Sequence, residues 1–532
     1  MFKKAKYITL VLALAGILAV AETANAEIAF KSESLGKLRV SGFLRVQADL
    51  RTGPENPNTS PAFNRNENLQ QFRPWGILDL DWDTPVKNLK VFLRTRFISD
   101  VTDNVTSGDF DAFPSAGGNA GITRFGGSDG IGELWEARID YTVGNWWFRV
   151  GRQPIVWGDL APTRLLDTVN SLDLSFHAFN ELGGREAFDN IRIPIWAIRG
   201  SYTFPFAPEY SIEAFVSPNK FGFIPTQLPA ADSPFDIQGL PPFLSLTDKT
   251  DDAQSGVAAG IRLLGVAGPV SYTLNWIVRR DGDGVSELAS QSLDPSRFGF
   301  APSPPFPPFT FGPFASMLPF GALPGDALGL RIKHPTFHTV GVSANYFHSP
   351  SKTVVRLEAV YDINRPFERR TLGPPDFDGS PPFFSVNTPN HIEDDQFGYA
   401  IALDRPTFLI RKDRAAMITF QVEQRFRGDP RRGEQRGLLG ARADRTETIL
   451  TFLFSQPFAG FGGRYDEWFT DLTARYDVKN SFFIQPSIRY EPGNHWRTAL
   501  WYTRFGGDDR RSGKFGSLKF ASGVNASISY QF

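Results

Sequence analysis

Apolar and polar residues alternate, one by one, along much of this chain. In residues 37–50, Leu38 and Val40 fall on one face while Arg39 and Arg45 fall on the other. A period of two places successive side chains on opposite faces of a β-strand. The same pattern recurs in residues 70–83, 88–99 and 131–143. It predicts repeated amphipathic strands, which occur in soluble β-sandwiches as well as in membrane barrels.

The stretch at residues 519–532 carries this alternation to the final residue. Val524, Ile528 and Phe532 share one face, and small polar residues such as Asn525 occupy the other. The stretch resembles the closing strand of a bacterial outer-membrane barrel. We expect it to close a barrel and to be recognised by the barrel insertion machinery. The alternative is a buried terminal strand of a soluble sandwich.

Short turns and long loops alternate between the predicted strands. The short connections are residues 84–87, 144–145, 205–209, 265–269 and 348–352, and the long ones are residues 51–69, 101–130, 217–254, 281–333 and 364–394. Outer-membrane barrels have short periplasmic turns and long extracellular loops. The pattern predicts an all-β, transmembrane antiparallel barrel of 18 strands, with 16 as the alternative. The larger number requires a tight outer turn at residues 478–480.

The N-terminal residues have the composition of an export signal. Three lysines precede an apolar run at residues 7–21, and Ala24 and Ala26 form a small-residue cleavage site. The run is shorter than the roughly 20 residues that a transmembrane helix needs. We therefore expect a cleaved signal peptide at residues 1–26 and a single barrel domain at residues 27–532. The expected location is the outer membrane of a Gram-negative cell.

The composition fits a barrel and argues against several function classes. Hydrophobic residues make up 41% of the 532 residues and the mean hydropathy is −0.23, as expected when only alternate strand residues face lipid. The formal net charge of −1 gives no indication of nucleic-acid binding. Cysteine is absent. Its absence avoids stray disulfides in an oxidising compartment and excludes a covalent c-type haem.

The most specific motif begins where the alternation stops, at Pro154. It contains Gly151-Arg152-Gln153 and Trp157-Gly158-Asp159, followed by residues 170–173. In this motif, and in residues 188–202 and 481–507, the chain resembles a Gram-negative outer-membrane family, domain-of-unknown-function 1302 (DUF1302). The resemblance covers most of the chain after residue 26. It implies a barrel with porin-like traits and does not imply a known substrate.

Arginine is the main cation, since 41 of the 56 basic residues are Arg. Several arginines lie on polar strand faces, which would face the lumen of a barrel. We select as candidate selectivity residues Arg39, Arg45, Arg94, Arg96, Arg149 and Arg152. Carboxylates such as Glu136, Asp140 and Glu358 share these faces. The arginines are therefore expected either to form ion pairs that rigidify the wall or to line a constriction that favours anions.

Three long loops are rich in proline and phenylalanine. The densest, residues 298–320, includes Phe306, Phe309, Phe311 and Phe314. Proline removes backbone donors, so these loops are not expected to extend the barrel wall. They are expected either to fold inward and cap one another, or to form a surface that binds hydrophobic solutes, lipopolysaccharide or a protein partner.

The polar residues show no arrangement that points to catalysis. His334 and His338 are four residues apart, but Pro335 between them argues against a helix that would bring them to one metal. The sequence places no serine beside a histidine and a third orienting group. We predict no enzyme activity, no metal site and no cofactor.

Together these patterns predict a porin-like outer-membrane channel for amphipathic or hydrophobic organic acids. The alternative is a non-conducting scaffold barrel that docks a periplasmic or surface partner such as a lipoprotein or a cytochrome. The expected partners are outer-membrane lipid and lipopolysaccharide, the insertion machinery and a small solute that the sequence does not identify. Nucleic acid is not an expected partner.

Overall fold

The structure, a computed structural model, describes the strands and part of their connections. The described residues are 28–32, 34–56, 68–102, 124–127, 130–160, 162–175, 190–218, 223–229, 234–235, 244–248, 257–288, 328–368, 391–410, 412–428, 445–460, 466–507 and 514–532. The expected signal peptide lies outside these residues, as do Phe306, Phe309, Phe311 and Phe314. The expectations for these two regions therefore stay predictions.

Antiparallel strands form a closed barrel of 18 strands. In chain order they are β1 (Gly36–Arg51), β2 (Leu69–Asp83), β3 (Leu89–Ser99), β4 (Gly130–Val143), β5 (Trp146–Gln153), β6 (Ile195–Thr203), β7 (Ser211–Pro218), β8 (Val257–Ala267), β9 (Val270–Arg280), β10 (Thr336–His348), β11 (Thr353–Glu368), β12 (His391–Thr407), β13 (Ala416–Arg427), β14 (Thr446–Ala459), β15 (Asp466–Asp477), β16 (Ser481–Pro492), β17 (Trp496–Gly507) and β18 (Gly523–Gln531). Each strand pairs with the next along the chain, and β1 pairs with β18. The predicted fold class is confirmed. Closure leaves no strand edge unpaired, as the hydrocarbon core of a membrane requires.

The end of the chain closes the ring. The backbone N–H of Phe532 donates to the carbonyl of Gly42 at 3.0 Å, and the N–H of Gly42 donates to the carbonyl of Phe532 at 2.9 Å. On the outer face, Tyr530 and Phe532 pack against Leu44 and Leu78. The terminal aromatic residues therefore cover the seam between the first and the last strand.

The closing strand starts later than the sequence predicts. Gly516–Ala521 is a 3-10 helix, so the prediction that residues 519–521 are part of the strand was wrong. The physical reason is burial, because Phe520 turns into a hydrophobic cluster with Phe505 and Leu518. Propensity and alternation along the chain do not reveal this tertiary contact.

Connection length alternates around the barrel as the sequence predicts. Residues 84–88 and 144–145 form turns at one end, which we call the short-turn end. The long connections after β3 and after β5 leave the wall at the opposite end, which we call the long-loop end. The tight turn expected at residues 478–480 lies at the long-loop end, between β15 and β16. Its position there is what an 18-stranded barrel requires.

One predicted turn is shorter than expected. The sequence suggests a connection at residues 265–269, but β8 continues to Ala267 and β9 begins at Val270. The hairpin therefore has a two-residue loop, in which Gly268 adopts a φ of +59°. Two-residue hairpins favour such left-handed residues because their twist matches that of the strands.

The outer face of the barrel is apolar and exposed. Outward-facing side chains of most strands are at least one-third exposed, for example Val46, Ile139, Val150, Ile198, Val216, Ile261, Leu274, Val340, Ile401, Phe420, Ile488, Leu500 and Ile528. A soluble protein rarely exposes a continuous apolar band of this kind. The band is therefore the surface that meets lipid.

Aromatic residues form a girdle on the outer face at the short-turn end. Trp146 contacts Tyr202 with ring centroids 4.5 Å apart, and Trp468 stacks on Tyr490 at 4.2 Å. Each of these side chains lies within a few residues of a short turn. Such girdles mark the boundary between hydrocarbon and head groups in outer-membrane barrels.

Smaller elements are attached to the barrel. Ile28–Ser32 pairs with the start of β1, and Arg124–Gly127 pairs with β4. A separate three-stranded sheet joins Leu244–Asp248, Val285–Leu288 and Leu328–Lys333. In the described part of the chain, no helix is long and apolar enough to cross a membrane.

Candidate constriction in the lumen

The chain leaves the barrel wall after β5 and crosses the lumen. Residues 154–194, described here as 154–160, 162–175 and 190–194, are called the crossing segment. Pro154 has no N–H to continue the strand ladder, so the wall pairing ends at Gln153. The segment makes contacts as far away as β13, which is eight strands from β5 in the ring of 18. It therefore reaches almost the opposite side of the barrel.

The Gly151-Arg152-Gln153 motif lies at the end of β5, where the chain leaves the wall. Gly151 has a φ of 130°, and a Cβ there would lie 2.1 Å from the carbonyl oxygen of Ala137. Only glycine fits this close approach of two strands. The amide of Gln153 is fully buried and donates to the carbonyl of Ala197 at 3.0 Å. Gly151 and Gln153 therefore fix the position of the last residues of β5 before the chain enters the lumen.

The near wall, β3 to β7, holds the crossing segment through a buried ion cluster. Arg96 donates from Nη2 to Asp173 Oδ2 and to Glu133 Oε2, both at 2.6 Å. Its guanidinium also lies 3.6 Å from the centroid of the Trp135 ring. Arg152 adds a second cation 3.8 Å from Glu133. All four charged groups are at least nine-tenths buried and pair with one another, so the cluster anchors the crossing segment to the wall.

Polar contacts within the crossing segment fix its shape. Asn170, which is buried, accepts from the N–H of Ile155 at 2.9 Å and donates to the carbonyl of Ile193 at 2.7 Å. Arg192 donates to Asp167 at 2.6 Å. The outgoing and returning parts of the segment are thereby tied together, and the motif at residues 170–173 has a structural role.

Trp157 continues the near-wall attachment. Its indole Nε1 donates to Glu213 Oε1 on β7 at 2.7 Å, and the side chain is 1% exposed. Glu213 also accepts from Arg199 at 2.9 Å and from Arg262 at 3.3 Å. The carboxylate is therefore saturated by two wall arginines and the motif tryptophan.

The far wall, β10 to β13, holds the segment through one carboxylate. Glu358 on β11 accepts backbone N–H donors of Asp159 at 2.5 Å, Leu160 at 3.0 Å and Leu166 at 3.4 Å. Its side chain is almost completely buried. Among the described residues no cation lies within 4 Å of it. Glu358 therefore pairs with backbone N–H groups of the crossing segment, and not with a basic side chain of the described residues.

Gly158 makes this contact possible. A Cβ at this position would lie 2.7 Å from the backbone nitrogen of Asp167 and 3.2 Å from Glu358 Oε1. A larger residue would push the segment away from the carboxylate. The Trp-Gly-Asp motif thus places a side-chain anchor, a close backbone approach and an exposed carboxylate in consecutive positions.

Apolar packing reinforces the far-wall contact. Leu160, Leu165 and Leu166 form one buried cluster with Val360 on β11 and with two alanines, Ala400 and Ala402, on β12. Small residues on β12 leave room for the leucines inside the barrel. Burying each leucine contributes on the order of 1.5–3 kcal/mol.

Thr163 marks the farthest reach of the segment. Its hydroxyl donates to Glu423 Oε2 on β13 at 3.0 Å and accepts from the amide of Gln421. Glu423 also pairs with Arg425 at 2.8 Å. The far-wall attachment therefore extends over three strands.

Asp159 faces the remaining space of the lumen. Its carboxylate accepts from Asn345 at 3.2 Å, and its carbonyl accepts from Arg356 at 2.6 Å. Arg356 also pairs with Asp404 at 2.6 Å and keeps 21% of its side chain exposed. Asp159 is itself exposed. This part of the motif borders an accessible volume beside the far wall.

The predicted selectivity arginines fall into three environments. Arg39, Arg94 and Arg149 lie on the lumenal wall, pair with carboxylates at 2.6–2.9 Å and keep 21–24% of their side chains exposed. Arg45 lies 4.9 Å from the Phe43 ring and 5.2 Å from the Trp75 ring. Arg96 and Arg152 belong to the buried anchor described above. A role of these six arginines in selectivity stays a prediction.

The structure also brings in residues that the sequence does not mark as a site. Glu213, Glu358 and Glu423 receive the crossing segment on strands far from it in the chain. The alternation of apolar and polar residues along their strands predicts that the three glutamates face the lumen, but it does not predict which groups they bind. No local signal distinguishes a carboxylate that binds a segment from one that pairs with a neighbouring arginine.

The fold and this inward segment define an outer-membrane-type β-barrel with a porin-like architecture. The family profile described as "Protein of unknown function (DUF1302)" matches residues 8–532. The chain therefore belongs to the DUF1302 family, as its motifs suggest. None of the curated proteins matches the sequence.

Several solved outer-membrane proteins are similar in structure. A BenF-like porin from Pseudomonas fluorescens Pf-5 has 6% identity and a TM-score of 0.48, covering 94% of this chain and 99% of that one. OpdK of Pseudomonas aeruginosa with vanillate has 8% identity and a TM-score of 0.43, covering 93% and 98%. Wzi of Escherichia coli, a carbohydrate-binding β-barrel involved in group 1 capsule assembly, has 11% identity and a TM-score of 0.39, covering 93% and 84%. Similarities this distant carry no conclusion about a solute.

Proposed function

We propose that the protein is a diffusion channel of the outer membrane, constricted by the crossing segment. One observation carries this proposal: charged side chains remain partly exposed on the lumenal faces of both walls. Arg149 on the near wall and Arg356 on the far wall each keep 21% of their side chains exposed. A lumen filled by the segment alone would bury both guanidiniums. The exposure supports a water-accessible path past the constriction.

Charge pairing sets the expected selectivity. Lumenal arginines are paired with carboxylates around the barrel, as in Arg94 with Asp79 at 2.7 Å and Arg489 with Asp471 at 2.8 Å. A paired guanidinium presents little net charge to a passing ion. We therefore expect weak discrimination between small anions and small cations. The predicted solute class, amphipathic or hydrophobic organic acids, requires a more local site.

Conductance of the purified full-length barrel in a planar lipid bilayer tests the proposal. We expect discrete, salt-dependent steps with an anion-to-cation permeability ratio close to one. Absence of steps from a barrel that shows heat-modifiable gel migration would contradict the channel. Copurification of such a silent barrel with a lipoprotein or cytochrome would instead support the scaffold function.

We also propose that the short-turn end faces the periplasm. The proposal is supported by the aromatic girdle and short turns at that end and by the long connections at the other. Single cysteines can be introduced at Asn145 and at Ser303 of this cysteine-free chain. A membrane-impermeant maleimide applied to intact cells should label Cys at position 303 only. Labelling at position 145 alone would show that the short-turn end faces the cell exterior.

A further inference from the structure

An alternating stack of guanidinium groups and rings lines the lumen near the long-loop end. Arg279 lies 4.3 Å from the centroid of the Phe337 ring, and Arg365 lies 5.7 Å from the same ring. Arg365 is also 5.8 Å from the Phe367 ring, and Arg427 lies 4.1 Å from it. Three cations and two rings from β9, β10, β11 and β13 thus form one continuous stack, in which Arg365 is the most exposed member.

A β-bulge in β11 turns part of this stack toward the lumen. The pairing of β11 with β12 shifts between Asp362 and Arg365, and Asn364 has a φ of 56°. Before the bulge Val360 and Asp362 are lumenal, whereas after it Arg365 and Phe367 are. Without the one extra residue both side chains would point to lipid. Bulges frequently re-aim side chains in this way beside functional sites.

Arg279 is the unusual member of the stack. It is 6% exposed, yet no carboxylate of the described residues lies within 4 Å of its guanidinium. Its Nη1 donates to the carbonyl of Arg280 at 3.4 Å, and its Nε has no hydrogen-bond partner. A buried cation with no carboxylate in contact is costly. The position is thus suited to receive an anion from outside the chain.

Nearby carboxylates are already occupied by other groups. The two oxygens of Asp362 accept from Thr339 at 2.6 Å and from Arg365 at 2.8 Å. Glu447 pairs with Arg427 at 3.4 Å and with Lys514 at 2.6 Å. Burial raises the pKa of the Asp281 carboxyl to about 6, with Asp283 contributing. None of these groups neutralises Arg279 through direct contact.

We propose that Arg279, Arg365 and the rings of Phe337 and Phe367 bind an aromatic carboxylic acid on its way through the lumen. The carboxylate would pair with Arg279, whose planar fork of donors matches the two oxygens. The apolar body would lie along the rings and the faces of the guanidiniums. Arg365, with 22% of its side chain exposed, marks the side open to the lumen. The proposal rests on the channel function and names its solute class.

Titration calorimetry of the full-length barrel in detergent micelles tests the site independently of conduction. Benzoate, acetate and inorganic phosphate serve as probes. We expect benzoate to bind more tightly than acetate and phosphate, and Arg279→Gln to weaken benzoate at least tenfold. Arg497→Gln is the matched control, because it removes one lumenal charge at the short-turn end, where Arg497 pairs with Glu491 at 2.8 Å. Its benzoate affinity should equal that of the wild type.

Phe337→Leu separates the two parts of the site, since it keeps apolar volume and removes the ring. We expect weaker benzoate binding with acetate binding unchanged, in protein whose heat-modifiable migration shows a folded barrel. Equal benzoate affinity in wild type and Arg279→Gln would overturn the proposal, and so would phosphate binding as tight as benzoate binding. A barrel that conducts without binding benzoate refutes this site alone. A barrel that binds benzoate through Arg279 without conducting refutes the channel alone.

Discussion

The two ends of the crossing segment are attached by different chemistry. At the near wall, Arg96 joins Glu133 and Asp173 in a fully buried ion cluster. At the far wall, Glu358 accepts three backbone N–H groups without a cation nearby among the described residues. Buried ion pairs are costly to break because each partner loses its only compensation. Hydrogen bonds from neutral amides are individually weaker.

This difference suggests a division of labour. The near wall fixes where the segment enters the lumen, and its failure would leave buried charges uncompensated. The far wall decides how much of the lumen the segment closes, and its release would expose mainly amides and leucines. The first attachment is therefore coupled to barrel stability, and the second to pore width.

The largest effect is expected from opening the ring that carries both attachments. Deleting residues 530–532 removes the aromatic cover of the seam and the pairing of Phe532 with Gly42. We expect loss of heat-modifiable barrel from the outer-membrane fraction on gels. Ser527→Ala, on the lumenal face of the same strand, should leave barrel levels unchanged. Normal levels after the deletion would show that strand pairing upstream suffices.

The near-wall attachment is tested next by Asp173→Asn. The substitution leaves Arg96 with Glu133 as its remaining carboxylate partner in the cluster. We expect a loss of about 3 kcal/mol in the free energy of unfolding, measured by urea titration of the barrel in vesicles. The control Asp81→Asn alters a pair in which the aspartate side chain is 40% exposed, so its cost should stay below about 1 kcal/mol. Equal costs would mean that the near wall is not the rigid attachment.

At the far wall, Glu358→Gln should widen the pore and cost no more stability than Asp173→Asn. The neutral amide is a weaker acceptor for three N–H donors and adds a buried NH2 group, a cost of about 1–3 kcal/mol at this contact. We expect higher single-channel conductance and more current noise in planar bilayers. Glu491→Gln changes a lumenal carboxylate that pairs with Arg489 and Arg497 and should conduct like the wild type. An unchanged Glu358→Gln trace would contradict a constriction held by this residue.

The smallest effect is expected from Thr163→Val. The variant loses hydrogen bonds to Glu423 and Gln421 and keeps nearly the same volume, so the contact should weaken by about 1 kcal/mol. Its conductance should rise less than that of Glu358→Gln. Thr498→Val, whose hydroxyl donates to the carbonyl of Tyr490, is the matched control. A larger effect at Thr163 than at Glu358 would move the main attachment to β13.

Sequence alone determined the wall of this protein. The predicted bounds 37–50 differ from β1 by one residue at each end, and the bounds 131–143 differ from β4 by one residue at the start. The turn at 478–480 follows from the strand count. Alternation with a period of two is a local property, since it records which side of the chain meets lipid. The motif around Trp157 could likewise be located, because it begins where alternation fails.

Tertiary structure decided what the lumen contains. Glu358 and Asp159 are 199 residues apart, and alternation says only that Glu358 faces inward. The same pattern cannot separate buried Arg96 from partly exposed Arg94. At Arg365 the alternation of inward and outward residues fails, because a bulge in β11 shifts which positions face the lumen. Lumenal contacts depend on which strands face each other across the closed ring, and that relation exists only once the barrel has formed.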